Sequence, residues 1–306
     1  MNRGFLLGFL AALFAVVCWG VQLPVAKDAF IAVDPMYMSL FRYCVAVSCL
    51  APLLVAREGV AALSYRGVGR RAIWLGLIGM CLSPMGAFIG MSLSSAEHCV
   101  VLGALQPTMA VLAMWVLQRK RPANFTLLCI VAAFAGVVLV VTKGDLRYFT
   151  TSGHLVGDLL ILGGSGCWVV YTAGIGKLHG WSTWRITVLT MIPGTLGTFV
   201  ATQVMVALGR SHAPDLAALA SVGWQLAYLS LVGVTLSMVL WNFGSRHIGV
   251  LNSSLLINFM PVVTFSYRAL QGHAFHAIEL VGAALVVVAL IANNAFLRRQ
   301  YLAARR

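Results

Sequence analysis

Arg42 lies inside the apolar run MYMSLFRYCVAVSCLAPLLV, with no other charge between Asp34 and Arg57. About seven residues into a helix, it would sit roughly 10 Å deep by helical rise. A charge at that depth is costly unless it snorkels, pairs or faces water. The guanidinium could hold the carboxylate of a ligand, or it could bond helix-end carbonyls, and the sequence leaves both open. Gln22, Gln106, Asn242, Asn252 and Asn258 are amides within the apolar runs. Such side chains join helices by hydrogen bonds worth about 0.6–2 kcal/mol, or they contact a bound ligand. Gln106 and Asn258 are read as ligand contacts, because each stands near a mid-run proline, and Asn252 is read as structural. Trp19, Trp168, Tyr171 and Trp241 could wall a cavity or simply pack. Trp115, Trp181 and Trp184 are expected in the interfacial aromatic belt.

The prolines point to where such a cavity would form. The run from His98 to Pro122 carries Gln106-Pro107 at its middle, and the run from Gly249 to Gly272 carries Asn258 and Pro261. A proline within a helix removes a backbone hydrogen bond and crowds the preceding turn. In hydrocarbon the freed groups are tolerated only where neighbours, water or a cavity satisfy them. Pro107 and Pro261 are therefore the expected helix breaks and gating points. Paired interruptions in corresponding halves of a chain are the best sequence pointer to a transport pathway.

Other chemistries find little support. The seven cysteines form no CxxC pair or Cys/His cluster, so neither a disulfide framework nor a metal site is expected. No cofactor is called for, and catalysis is not expected: there is no paired-His metal motif, carboxylate dyad or nucleophile elbow. Glu97 and Asp158 fall near span ends, and Asp28, Asp34, Asp145, Asp215 and Glu279 in or beside loops. A proton pump needs an intramembrane titrating group, so exchange or facilitated diffusion is expected rather than coupling through a buried carboxylate. The seven histidines read as solvated loop residues.

Sixty per cent hydrophobic and nine per cent charged residues lie far outside soluble composition, where about a quarter of residues are charged. The fold class is all-α integral membrane. Ten spans are expected, at 4–23, 35–56, 72–93, 98–118, 124–142, 155–176, 184–208, 222–243, 248–270 and 277–297. The net charge of +13 sits in short loops, as topology signals do, and does not indicate nucleic acid. Alternating the loops places fifteen basic residues on one side and five on the other, with Arg42 inside a span. The positive-inside rule then puts both termini in the cytoplasm. The first run is read as an uncleaved span rather than a signal peptide.

The halves echo one another. Cys18-Trp19 matches Cys167-Trp168, Lys27 matches Lys177, Pro107 matches Pro261, and 132–141 resembles 282–291. With five spans each, the halves enter from opposite sides. The expected organisation is two inverted five-helix repeats, 4–142 and 153–297, followed by a basic cytoplasmic tail, 298–306.

At these residues the chain resembles the drug/metabolite transporter superfamily, in its EamA-type ten-helix branch. The resemblance rests on Cys18-Trp19-Gly20 with Lys27, Phe41-Arg42-Tyr43, Lys143-Gly144, Gly157-Asp158-Leu159, Leu240-Trp241-Asn242 and the two proline-centred helices. The family's Gly-Glu pair after the fourth and ninth helices reads Arg119-Lys120 and Gly272-His273 here. The resemblance implies a carrier with a central cavity, exporting amino acids or other small metabolites across a bacterial inner membrane. The expected partners are a small-molecule substrate and the bilayer, with no nucleic acid; the oligomeric state stays open. The substrate-binding candidates are Trp19, Gln22, Arg42, Gln106, Trp168, Tyr171, Trp241, Asn242 and Asn258. A multidrug or quaternary-cation carrier, a non-transporting receptor and an intramembrane enzyme are the alternatives.

Overall fold

The structure, a computed structural model, describes residues 3–119, 121–145, 147, 153–175, 177–248 and 256–303. Among these every regular element is helical. In hydrocarbon each backbone N–H and C=O needs a partner within its own segment, which a helix supplies. The helices are α1 (Arg3–Ala29), α2 (Pro35–Glu58), α3 (Gly69–Leu93), α4 (Ala96–Gly103), α5 (Gln106–Gln118), α6 (Asn124–Thr142), α7 (Leu155–Ile175), α8 (Thr183–Ala207), α9 (Gly223–Ala227 continuing to Ile248), α10 (Met260–Leu270) and α11 (Ala277–Ala303).

Nine helices among the described residues are long and apolar enough to cross a bilayer. The run at 98–118 divides at a turn over 104–105 into α4 and α5. The expected span at 248–270 is described in its later part, where a turn at 258–259 leads into α10; Asn252 lies outside the described residues.

Local signals set the helix ends. Asp34 accepts a hydrogen bond from the Met36 N–H at 2.8 Å, capping α2 ahead of Pro35 at its first turn. Ser95 and Ser182 cap α4 and α8 in the same way, each satisfying an N–H that has no partner within the helix. Lys143 and Gly144, at φ 52° and 86°, close α6 in the left-handed region.

Water cannot drive helices together inside a bilayer, so close packing of small residues must. A Cβ on Gly136 of α6 would lie 2.6 Å from the Gly282 carbonyl oxygen of α11, and the reverse contact is also 2.6 Å. Gly90 and Gly157 bring α3 against α7 at 2.5 and 2.6 Å in the same sense. Gly244 of α9 does so against the Gly8 carbonyl of α1 at 2.7 Å. The outer faces, including Leu128, Val131, Leu196 and Val200, are exposed and apolar, as a lipid-facing surface requires. In α8, buried Thr187, Thr190, Thr195, Thr198 and Thr202 each donate to the carbonyl four residues earlier. These five α8 hydroxyls thereby enter the core with their donors satisfied.

Candidate functional site

Seven helical segments converge on a cavity of about 330 Å³ in the middle of the bundle. This is at the lower end of the volumes that hold small organic ligands. Trp19 and Gln22 reach it from α1, Arg42 and Tyr43 from α2, and Gly79, Ser83 and Pro84 from α3. Gln106 enters from the start of α5, Trp168 and Thr172 from α7, and Gly233, Val234, Met238 and Trp241 from α9. Ile257 and Met260 complete the wall at the start of α10. Trp19 and Gln22 are three residues apart, and Trp168 and Thr172 four, the spacings that put two side chains on one helix face.

Two of these helices widen where they meet the cavity. Leu77–Leu82 of α3 and Tyr228–Leu236 of α9 are π-helical, a form enriched at functional sites. Each contributes a glycine. The missing side chain of Gly79 admits the Tyr171 ring, and a Cβ on Gly233 would stand 3.0 Å from Gln22 Oε1.

Arg42 is 5% exposed. One Nη donates to Gln22 Oε1 at 3.4 Å, while its Nε–H is buried without a hydrogen-bond partner. Its guanidinium lies 4.1 Å over the Phe88 ring and 5.0 Å from that of Tyr43. Among the described residues no carboxylate pairs with it. Trp19 and Trp241 pack with ring centroids 5.2 Å apart, so α1 and α9 present one continuous aromatic wall.

Other expected site residues lie elsewhere. Tyr171 does not line the cavity: it is buried behind Trp168 at 5.1 Å, with its hydroxyl 3.2 Å from Thr190 Oγ1. Asn242, next to Trp241, turns by the helical rotation onto a different hollow with Leu7, Arg57 and Trp184. Asn258 is buried in the turn before α10, its Nδ2 without a partner. Pro107 and Pro261 each occupy the second position of a new helix, α5 and α10, where a missing N–H costs little. Their shared offset aligns Gln106 with Met260, and both line the cavity.

The face opposite the described chain ends holds groups that sequence reasoning missed. Lys27 Nζ donates to the carbonyls of Met91, Ser92 and Ser94 at 2.7, 2.9 and 2.8 Å, tying α1 to the end of α3. Arg268 of α10 bonds Glu97 of α4 at 2.9 Å and Asp28 of α1 at 3.3 Å. Ser94 donates to Asp158 at 2.6 Å, and His98 Nδ1 lies 3.0 Å from the same oxygen.

These placements add one finding and correct two expectations. Glu97, Asp158 and Glu279 are near helix ends yet buried, because neighbouring helix ends cover them. His98 is buried in this network rather than solvated. Trp184 is buried beneath the Arg57 guanidinium, 4.8 Å above its ring, and so is no belt residue. The only sequence signal was charge at span ends, Lys27-Asp28 and Glu97-His98, which names no partner.

Comparisons with known proteins place the chain in a family. The profile of the EamA-like transporter family matches residues 6–142 and again 155–295. The chain is 31% identical over 305 residues to the Bacillus subtilis protein named Uncharacterized transporter YrdR, covering 98% of this chain and 95% of that one. It is 25% identical to Uncharacterized transporter YyaM of the same organism, over 91% and 90% of the two chains. An Archaeoglobus fulgidus protein named as an uncharacterized transporter is 23% identical, over 84% and 86%. A solved crystal structure shares the fold with a TM-score of 0.65 at 18% identity, over 97% of this chain and 98% of that one. The chain is a multi-pass membrane protein that belongs to the EamA-like transporter family.

Proposed function

We propose that this protein is a secondary carrier of the inner, or plasma, membrane, moving small organic metabolites by alternating access. Amino acids and related carboxylates are the substrate class, and export is the favoured direction. One observation carries the reading: a mid-bundle cavity where a buried cation, two amides and three tryptophans meet at a helix interruption. Carriers build their sites at the bilayer midplane from discontinuous helices.

The proposed architecture is ten helices in two inverted repeats, 4–142 and 153–297, with 298–306 as a basic tail. It is supported by the double family match, by π-helical turns in α3 and α9, and by prolines at the same helical position in α5 and α10. The contact pattern supports it too, since α3 meets α7 much as α9 meets α1. The distribution of basic residues favours cytoplasmic termini.

In this mechanism Arg42 and the amides hold the substrate while the aromatic wall shields its body. Lys27 and the Arg268–Glu97–Asp28 bridge hold one face shut. Releasing these bonds lets the half-helices on either side of 104–105 and 258–259 part, and the cavity then opens to that face. No covalent step is involved. Gradients set the direction of net flux, by exchange or facilitated diffusion.

The test is counterflow in proteoliposomes, using amino acids, organic acids, purines, sugars and quaternary amines. Unlabelled substrate trapped inside should accelerate entry of the same labelled compound. A protein that binds a ligand yet gives no counterflow with it is a receptor, and the transport reading fails.

A further inference from the structure

We infer that the cavity takes organic monoanions, a carboxylate on an aromatic or branched apolar body without an ammonium group, in preference to zwitterionic amino acids and cations. The inference keeps the carrier reading, on which it rests for its biological meaning, but narrows the substrate class from amino acids and related carboxylates to the ammonium-free carboxylates; it is a claim about binding alone.

The charge balance of the site comes first. Arg42 is the one charged residue in the cavity wall among the described residues. It is buried, and its Nε–H has no hydrogen-bond partner. A buried charge without a counter-ion is strongly disfavoured, and a ligand anion supplies that counter-ion. The fork of a guanidinium also matches a carboxylate in geometry.

The hydrogen-bonding sense of the wall points the same way. Gln22 turns its Oε1 toward Arg42, so the donor end of its amide is the end left for other partners. An ammonium group would need acceptors. The acceptors the wall offers are neutral, the oxygens of Tyr43, Ser83, Gln106 and Thr172, and none carries a charge to match an ammonium. No carboxylate stands in the wall among the described residues.

The aromatic faces could in principle take a cation, but the size of the cavity opposes it. A sphere of 330 Å³ is about 9 Å across, so any second cation inside lies within strong Coulomb range of Arg42. Trp19, Trp168, Trp241, Met238 and Met260 instead suit an uncharged aromatic or branched body.

The experiment uses four compounds sharing one ring: 3-phenylpropionate, 3-phenylpropanamide, 2-phenylethylammonium and phenylalanine. Each is titrated against the purified full chain, with thermal stabilisation as the readout of binding to the folded state. The propionate should bind at least tenfold more tightly than the amide or phenylalanine, and the ammonium should not stabilise. Arg42→Gln should bring propionate down to the amide while leaving the amide unchanged. If that variant does not fold, Gln22→Leu, which removes the acceptor orienting Arg42 together with the donor end of the amide, should weaken propionate by a larger factor than it weakens the amide.

Equal or tighter binding of phenylalanine or the ammonium overturns the inference. So does the absence of stabilisation by the propionate and by a branched aliphatic carboxylate such as 4-methylpentanoate. Counterflow separates the two claims. Carboxylate-selective binding without counterflow refutes the carrier and keeps the site, whereas amino-acid counterflow with no preference for the anion does the reverse.

Discussion

The Arg268 bridge gives the proposed closure of its face a measurable strength. Arg268 Nε donates to Glu97 Oε1 at 2.9 Å, with side chains 21% and 5% exposed. Exposed pairs contribute about 0.2–1 kcal/mol, while breaking a fully buried pair costs about 3–5 kcal/mol. This bridge is intermediate in burial, and Asp28 stays beside Arg268 at 3.3 Å to soften the loss. Glu97→Gln should therefore weaken closure by about 2 kcal/mol, roughly thirtyfold in the opening equilibrium. The assay is amide hydrogen exchange across 94–103 in the detergent-solubilised protein, where faster exchange reports easier local opening. Exchange there should rise by about that factor in Glu97→Gln, while the α6–α11 contact stays protected. Arg268→Gln also removes the Asp28 contact and leaves Glu97 buried without its cation, so it should raise exchange further, and the double variant should fall short of the sum because the two changes share one interaction. Unchanged exchange at 94–103 in both single variants, with the fold intact, would refute the role given to the bridge.

Two further outcomes test the packing and the opposite end of the bundle. Gly136→Ala places a Cβ 2.6 Å from the Gly282 carbonyl oxygen and should lower thermal stability by about 1–3 kcal/mol. Gly163→Ala, with open space around it on the same kind of helix, should be neutral or slightly stabilising, and equal effects of the two would contradict the α6–α11 contact. Tyr65, in the α2–α3 connection, donates to the Leu189 carbonyl at 2.8 Å, and burial pushes its phenol up to about 12. An unfolded tyrosine ionises near 10, so the folded chain binds the extra proton and stability falls as pH rises from about 10 to 12. A melting-temperature series should show that loss in the wild type and less of it in Tyr65→Phe.

Composition and periodicity were enough to establish an all-helical membrane protein, because about twenty apolar residues in a row have one stable use. The two mid-run prolines also marked where helices break, whereas the ends at Asp34, Ser95 and Lys143-Gly144 emerged with the structure. Trp19, Gln22, Arg42, Gln106, Trp168 and Trp241 were visible as candidates because polar or large aromatic side chains inside apolar runs are costly without a partner or a cavity. The sequence did not show which way each side chain faces. Asn242 and Trp241 are neighbours in the chain, yet helical rotation sends one to a separate hollow and the other to the cavity. Tyr171 recedes because Gly79, on another helix, leaves room for its ring. His98 was read as a solvated loop residue, and the places of Glu97, Asp158 and Glu279 near span ends or loops gave no sign of their burial. Burial at a helix end is set by the neighbouring helix ends, and Arg268 meets Glu97 across 171 residues of chain. Chain-local physics determined the helices and their breaks; the choice between cavity, lock and packing fell to contacts that exist only once the helices assemble.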